Sequence, residues 1–203
     1  MSVGCRKLTK QEVQAVLTFG FLGKYAVRNK MLFYFLIRTG VRLQEALSTT
    51  IQELQNAQGE IRDSFILLKS NTKNRETRLV RIPPDLRVAL TNYIQNHTHE
   101  DQVSLFEAGI ESINHGEAIC ARHGMRILRK AFLEAGVDDF RLGSHCCRKT
   151  FAFDVYEDSN YDWEFTRKAL GHNSIKSTQH YLEADDEKVN AVIDKDRGYD
   201  VGL

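Results

Sequence analysis

The sequence predicts a mainly α (α+β) fold: a helical domain with a small antiparallel β-sheet inserted near residues 59–82. Three observations carry that expectation. Apolar residues recur at helical spacing in one segment after another. Only two short runs, Phe65–Leu68 and Leu79–Ile82, break the period, and they flank a polar turn. The 13 glycines and two prolines among 203 residues punctuate element ends and form no linker.

The first helix opens at Thr9, with Glu12 three residues on completing a capping box, and its apolar face is Val13, Val16 and Leu17. A second covers about Ala26 to Arg38 and stops at Gly40, a natural C′ residue. A third starts near Arg42 and carries Leu43, Ala46, Leu47, Ile51 and Leu54 at helical spacing. The two strands follow, joined by a basic turn containing Asn71, Lys73, Asn74 and Arg75, with a third short strand expected near Gly59 to Arg62. Pro83 and Pro84 start a helix that reaches about Asn96. Further helices are expected at about 117–135, 145–157, 163–170, 174–182 and 186–194, set apart by Gly136, Gly143 and Gly171.

Composition sets the class. Hydrophobic residues make up 42% and charged residues 27% of the chain, which excludes a disordered or collagen-like polymer. A domain of this length buries about 70% of its extended-chain surface and needs no metal or disulfide to fold. The longest apolar run, Met31–Ile37, is far short of the ~20 residues that span a bilayer, so no membrane partner is expected. The opening MSVGCRKLTK has no apolar stretch of the secretory kind. Cys5, Cys120, Cys146 and Cys147 form no C-x-x-C pair and match no zinc spacing, so they read as reduced thiols of a cytoplasmic protein.

Net charge is +1, but it is unevenly spread. From Glu183 onward seven acidic residues meet three basic ones, a net −4 that leaves +5 on residues 1–182. Segments 62–87 and 122–149 each hold seven Lys/Arg against three acids. Such bands are either the solvated faces of helices, the commoner case, or a face that binds phosphate.

Three clusters carry groups suited to chemistry. In Arg38-Thr39-Gly40-Val41-Arg42-Leu43-Gln44-Glu45, Arg42 lies just past a glycine break where a helix begins, within reach of an anion near that N-terminus. Glu45 is placed to hold its guanidinium, although an i,i+3 pair of this kind is more often a surface ion pair. In Ser144-His145-Cys146-Cys147-Arg148-Lys149-Thr150, His145 and Arg148 share a helix face, one a proton-transfer group and the other a fixed cation. In the third cluster, Leu170 to Tyr181, Gly171 ends a helix, and Asn173 or Ser174 caps the next beside His172. Tyr181 follows two turns on, where a tyrosine is usually a packing residue with a wet hydroxyl. His97, His99, His115 and His123 fit no metal-ligand pattern, and Cys120 with His123 makes only two ligands.

In this order the clusters resemble the catalytic domain of tyrosine recombinases, the phage-integrase family of site-specific DNA recombinases. The resemblance rests on Thr39-Gly40-Val41-Arg42-Leu43-Gln44-Glu45, a lysine between the strands, His145-x-x-Arg148, and Leu170-Gly171-His172 followed nine residues later by Tyr181. Leu8-Thr9-Lys10-Gln11-Glu12-Val13 also looks like the start of that domain, so the likeness spans about residues 8–183.

The resemblance implies transesterification at a DNA phosphodiester, a group whose charge repels nucleophiles, so that positioning and charge neutralisation carry the reaction. Arg42 and Arg148 would grip the non-bridging oxygens with planar forks. Tyr181 would attack phosphorus and form a 3′-phosphotyrosyl bond, with His145 as base and His172 donating to the phosphate. Lys73, with Lys69 as the alternative, would protonate the leaving 5′-oxygen. No cofactor and no metal is implied, because the arginines, lysine and imidazoles supply the positive field.

The implied partners are double-stranded DNA, three further copies of the chain in a homotetramer on two DNA sites, and accessory DNA-bending proteins. The implied domains are a tyrosine recombinase catalytic domain at 1–185 and an acidic C-terminal segment at 186–203 that docks on a neighbouring subunit. Lys149 stands where the family often has histidine. Many members carry a separate N-terminal helical domain of about a hundred residues. Its absence reads as a minimal recombinase similar in size to the fimbrial-switch invertases, as reliance on other proteins, or as a truncated form. Weak DNA affinity is the expected result. The alternatives are a topoisomerase-like enzyme of the same chemistry and a non-catalytic helical DNA-binding module. The intact set of six residues speaks against the latter.

Overall fold

The computed structural model describes residues 5–67, 77–99, 102–109, 116–137, 142–172 and 178. Among the described residues are eight helices and one two-stranded sheet. The order is α1 (Lys10–Phe19), α2 (Ala26–Thr39), α3 (Leu43–Leu47), α4 (Ile51–Leu54), β1 (Ser64–Leu67), β2 (Arg78–Arg81), α5 (Pro84–His97), α6 (Ala121–Glu134), α7 (Ser144–Asp158) and α8 (Trp163–Leu170). The mainly helical class and the inserted antiparallel sheet are as the sequence predicts.

Helix α2 is the axis of the core. Leu32, Phe33, Phe35 and Leu36 are fully buried, because α3, α5, α6 and α7 all pack on this one helix. Phe33 meets Phe132 of α6 edge-on at 6.2 Å, while Phe35 lies 5.8 Å from Phe106 and 5.9 Å from Phe65 of β1. Truncating a ring in such a cluster costs ~3–5 kcal/mol, so the middle of α2 is firmly fixed. The capping box at α1 forms as expected: Glu12 N–H donates to the Thr9 hydroxyl at 3.1 Å, and Thr9 N–H donates to the Glu12 carboxylate at 2.8 Å.

In the sheet, Phe65 pairs with Val80 and Leu67 with Arg78. Phe65, Leu67 and Val80 face the core, while Ile66 and Leu79 are exposed, the alternation of a half-buried sheet. Three expectations need correction. The single helix expected through Leu43–Leu54 is two helices, because the Ser48 and Thr49 hydroxyls bond back to the Glu45 carbonyl at 3.0 Å and Thr50 opens a new capping box with Glu53. Segment 59–62 adds no third strand. Ile61 makes one isolated bridge to Gln55, and the Asn56 side chain accepts from the Gln58 and Glu60 N–H groups at 2.9 Å, curling the chain into a turn. Helix α6 begins at Ala121 and not near 117. Ala108 N–H donates to the Glu117 carbonyl at 2.7 Å and Ile119 N–H to the Phe106 carbonyl at 2.9 Å, so the preceding residues are paired in extended form.

The helices expected at 174–182 and 186–194 lie outside the described residues, apart from Thr178. Among the described residues, no helix is long and apolar enough to cross a membrane, and no three His, Cys, Asp or Glu side chains gather as metal ligands.

Candidate active site

The site begins where α2 stops. Gly40 takes the left-handed conformation (φ 62°) and turns the chain into α3. Arg42 precedes the first residue of α3, and Glu45 caps it: one carboxylate oxygen accepts from Arg42 N–H at 2.8 Å and the other from Arg42 Nη1 at 2.9 Å. Glu45 is buried. Burial alone would raise its carboxyl, but the Arg42 N–H and the Arg78 and Arg42 guanidiniums outweigh that and hold it below the ordinary carboxylate value.

From the opposite side, α7 brings Arg148, whose residue surface is only 1% exposed. Its Nη1 donates to the Gly40 carbonyl. Its Nη2 donates to the Leu170 carbonyl at 2.9 Å and meets His172 Nε2 at 3.0 Å. A buried guanidinium held by two carbonyls and an imidazole is fixed far more tightly than a surface arginine. Helix α8 ends at Gly171, left-handed at φ 63°, and His172 N–H bonds back to the Arg167 carbonyl at 3.0 Å.

Because a guanidinium only donates, His172 Nε2 accepts, and the ring carries its proton on Nδ1. That proton points to the Thr178 hydroxyl at 3.0 Å. Burial first, and then the nearby guanidiniums of Arg148, Arg42, Arg78 and Arg167, push the His172 pKa down to about 4. The imidazole is therefore neutral at physiological pH.

Three sequence-predicted residues, Arg42, Arg148 and His172, are brought to one place. His145 is on α7 one turn before Arg148, but it is exposed where Arg148 is enclosed, because Arg148 faces the α2–α8 side of the helix. Lys73, Lys69 and Tyr181 lie outside the described residues. Two participants were not anticipated. Arg78 of β2 donates to Glu45 at 3.0 Å and to the Leu170 carbonyl at 3.2 Å, and Thr178 bonds the His172 ring.

Gly40 makes the junction testable. A Cβ there would meet the Phe151 ring at 2.2 Å, in a backbone conformation that L side chains avoid. Gly40→Ala is expected to cost ~2–4 kcal/mol from strain and overpacking combined, read as a lower urea midpoint at unchanged m-value. Gly23→Ala is the control, since it shares a positive φ but has nothing within 4 Å. Equal losses at the two sites would show that the contact with Phe151 is unimportant.

The sequence pattern of the phage integrase family matches residues 6–188. The chain belongs to this family. Among curated relatives, the phage integrase family domain here is 25% identical to tyrosine recombinase XerH of Campylobacter jejuni over 164 residues, 80% of this chain and 43% of that protein. It is 27% identical to tyrosine recombinase XerC of Thermodesulfovibrio yellowstonii over 171 residues, 83% of this chain and 54% of that protein. The chain thus spans about half the length of these relatives. A crystal structure of XerH site-specific recombinase bound to palindromic difH substrate, a post-cleavage complex, overlays with a TM-score of 0.71 at 19% identity, covering 95% of this chain and 53% of that one. That likeness shows the shared fold. The corner that joins Arg42, Arg148 and His172 is thus set in a phage integrase family catalytic fold.

Proposed function

We propose that this chain is the catalytic part of a site-specific DNA recombinase, which cuts and rejoins double-stranded DNA through a covalent 3′-phosphotyrosyl intermediate. The observation that carries the reading is the Arg148 guanidinium, buried to 1% exposure and held by the Gly40 carbonyl, the Leu170 carbonyl and His172. It draws together three motifs that are far apart in sequence. With Arg42 and Arg78 they make a strongly cationic cluster in which, among the described residues, Glu45 pairs with Arg42 and Arg78, an arrangement that suits a phosphodiester in a dissociative, highly charged transition state.

In this mechanism Arg42 and Arg148 take the non-bridging oxygens. Tyr181 Oη bonds to phosphorus as its proton passes to His145, and the phosphorus–O5′ bond breaks as Lys73 gives that oxygen a proton. The 5′-hydroxyl of a partner strand reverses the step. One phosphoester replaces another, so no nucleotide triphosphate is consumed. For His172 to donate to the phosphate, the ring moves its proton from Nδ1 to Nε2, the Thr178 hydroxyl turns from acceptor to donor, and Arg148 Nη2 exchanges Nε2 for a phosphate oxygen. The exposed side of α6 supplies backbone contacts: Arg122, Arg126, Arg129 and Lys130 are exposed, opposite buried Ile127, Leu128 and Ala131. The enzyme works in the cytoplasm, as a homotetramer on two sites with DNA-bending proteins assisting.

The test uses nicked duplexes made from inverted repeats beside the coding region. An SDS-stable adduct that forms in EDTA is expected, with the modified peptide containing Tyr181. No adduct on any repeat, or one abolished by EDTA, would sink the reading. The domain division enters as a second test. Residues 186–203 are assigned to docking on a neighbouring copy and 1–185 to catalysis. Deleting 186–203 is expected to remove the tetramer from sedimentation profiles of DNA complexes, and an unchanged profile refutes the docking role.

A further inference from the structure

Arg78 opens β2, in register with Leu67 and two residues before Val80, on the face of the sheet that packs into the core. A valine or leucine would suit that face. Instead a guanidinium is carried in, its side chain 12% exposed and its Nε without a hydrogen-bond partner. Burying a charge with one donor unsatisfied is a poor way to gain stability. Its two ends reach different parts of the site. Nη2 donates to Glu45 Oε2 at 3.0 Å and Nη1 to the Leu170 carbonyl at 3.2 Å. The Leu170 carbonyl is the same one that Arg148 uses. Gly171 leaves room for this arm, since a Cβ there would meet Arg78 Cδ at 2.5 Å.

We propose that Arg78 is a positioning residue that sets how Arg42 is presented to the scissile phosphate. The inference rests on the recombinase reading above. Glu45 could chelate Arg42 with both oxygens, the preferred fork geometry of an arginine–carboxylate pair. Arg78 and the Arg42 N–H occupy Oε2, so Arg42 pairs through Nη1 with Oε1 alone. The rest of the Arg42 fork is thereby kept from Glu45, on a side chain 24% exposed. The same arm ties α3 to the end of α8, fixing the distance from Arg42 to Arg148 and His172. Only a planar fork reaches both anchors, so lysine is not an equivalent.

The experiment compares Arg78→Met, Arg78→Lys and wild type in two assays. On the nicked duplex described above, both variants are expected to form adduct at least ~10-fold more slowly per folded molecule, with duplex affinity within about threefold of wild type, the signature of lost positioning. In the protein without DNA, imidazole NMR is expected to find His172 titrating near about 4 in wild type and higher in Arg78→Met, with Arg78→Lys restoring stability more fully than cleavage. Wild-type cleavage tests the recombinase reading. The ring titration tests Arg78 whatever the DNA result. A folded Arg78→Met with unchanged His172 resonances, or one that cleaves at the wild-type rate, overturns the proposal. So does failure of both variants to fold, which would make Arg78 a structural residue.

Discussion

Arg148→Ala is expected to slow covalent adduct formation by ~10²–10³-fold, the usual consequence of removing a preorganised contact to transition-state charge. Arg148 has further duties, and they predict a second effect. The Gly40 carbonyl, the Leu170 carbonyl and His172 Nε2 all lose a donor among buried residues. Each polar group left unsatisfied in such a place costs ~1–3 kcal/mol, so the variant is also expected to unfold at lower urea. Rates are therefore compared per folded molecule, in a burst assay on the nicked duplex. Arg148→Lys separates the two roles, since it restores charge without the fork. Adduct formation by Arg148→Ala within tenfold of wild type would exclude Arg148 from phosphate activation.

Tyr181→Phe is the sharper case. The change removes one oxygen and keeps the ring, so duplex affinity is expected to stay within about twofold while adduct formation disappears altogether. A surviving SDS-stable adduct would assign the nucleophile to another side chain. Loss of DNA binding together with the adduct would point to a packing role for the ring, the ordinary role of a tyrosine on an amphipathic segment. The remaining competitor of the same chemistry, a topoisomerase-like enzyme, shares these outcomes, and separates only when partner strands of different length are offered and exchanged products are sought.

Much of the fold was legible because its signals are local. Thr9 with Glu12, Gly40, the two prolines at the start of α5, and Gly171 each mark an element end within a few residues of where it falls. The misread places are those where local signals compete. Helix-spaced leucines on both sides hide the break at Ser48–Thr50, which hydroxyl-to-backbone bonding decides. The residues before α6 read as helix until they pair with segment 106–108. In the site, Arg42, Arg148 and His172 were recognisable because each sits in a compact motif. Arg78 was not, since its partners are 33 and 92 residues away. The one available clue was a charged side chain two positions from Val80, on a face that should be apolar. Thr178 carried no comparable clue, because its partner is fixed by where α8 ends.

Leu170 supplies the last residue of α8, and its carbonyl accepts from Arg78 and Arg148 together. The aligned peptide dipoles of a helix place roughly half a negative charge at that end. Mutually repelling cations are thus held together by backbone polarity as well as by Glu45. An insertion or helix breaker within Trp163–Leu170 would scatter the arginines without altering any of them.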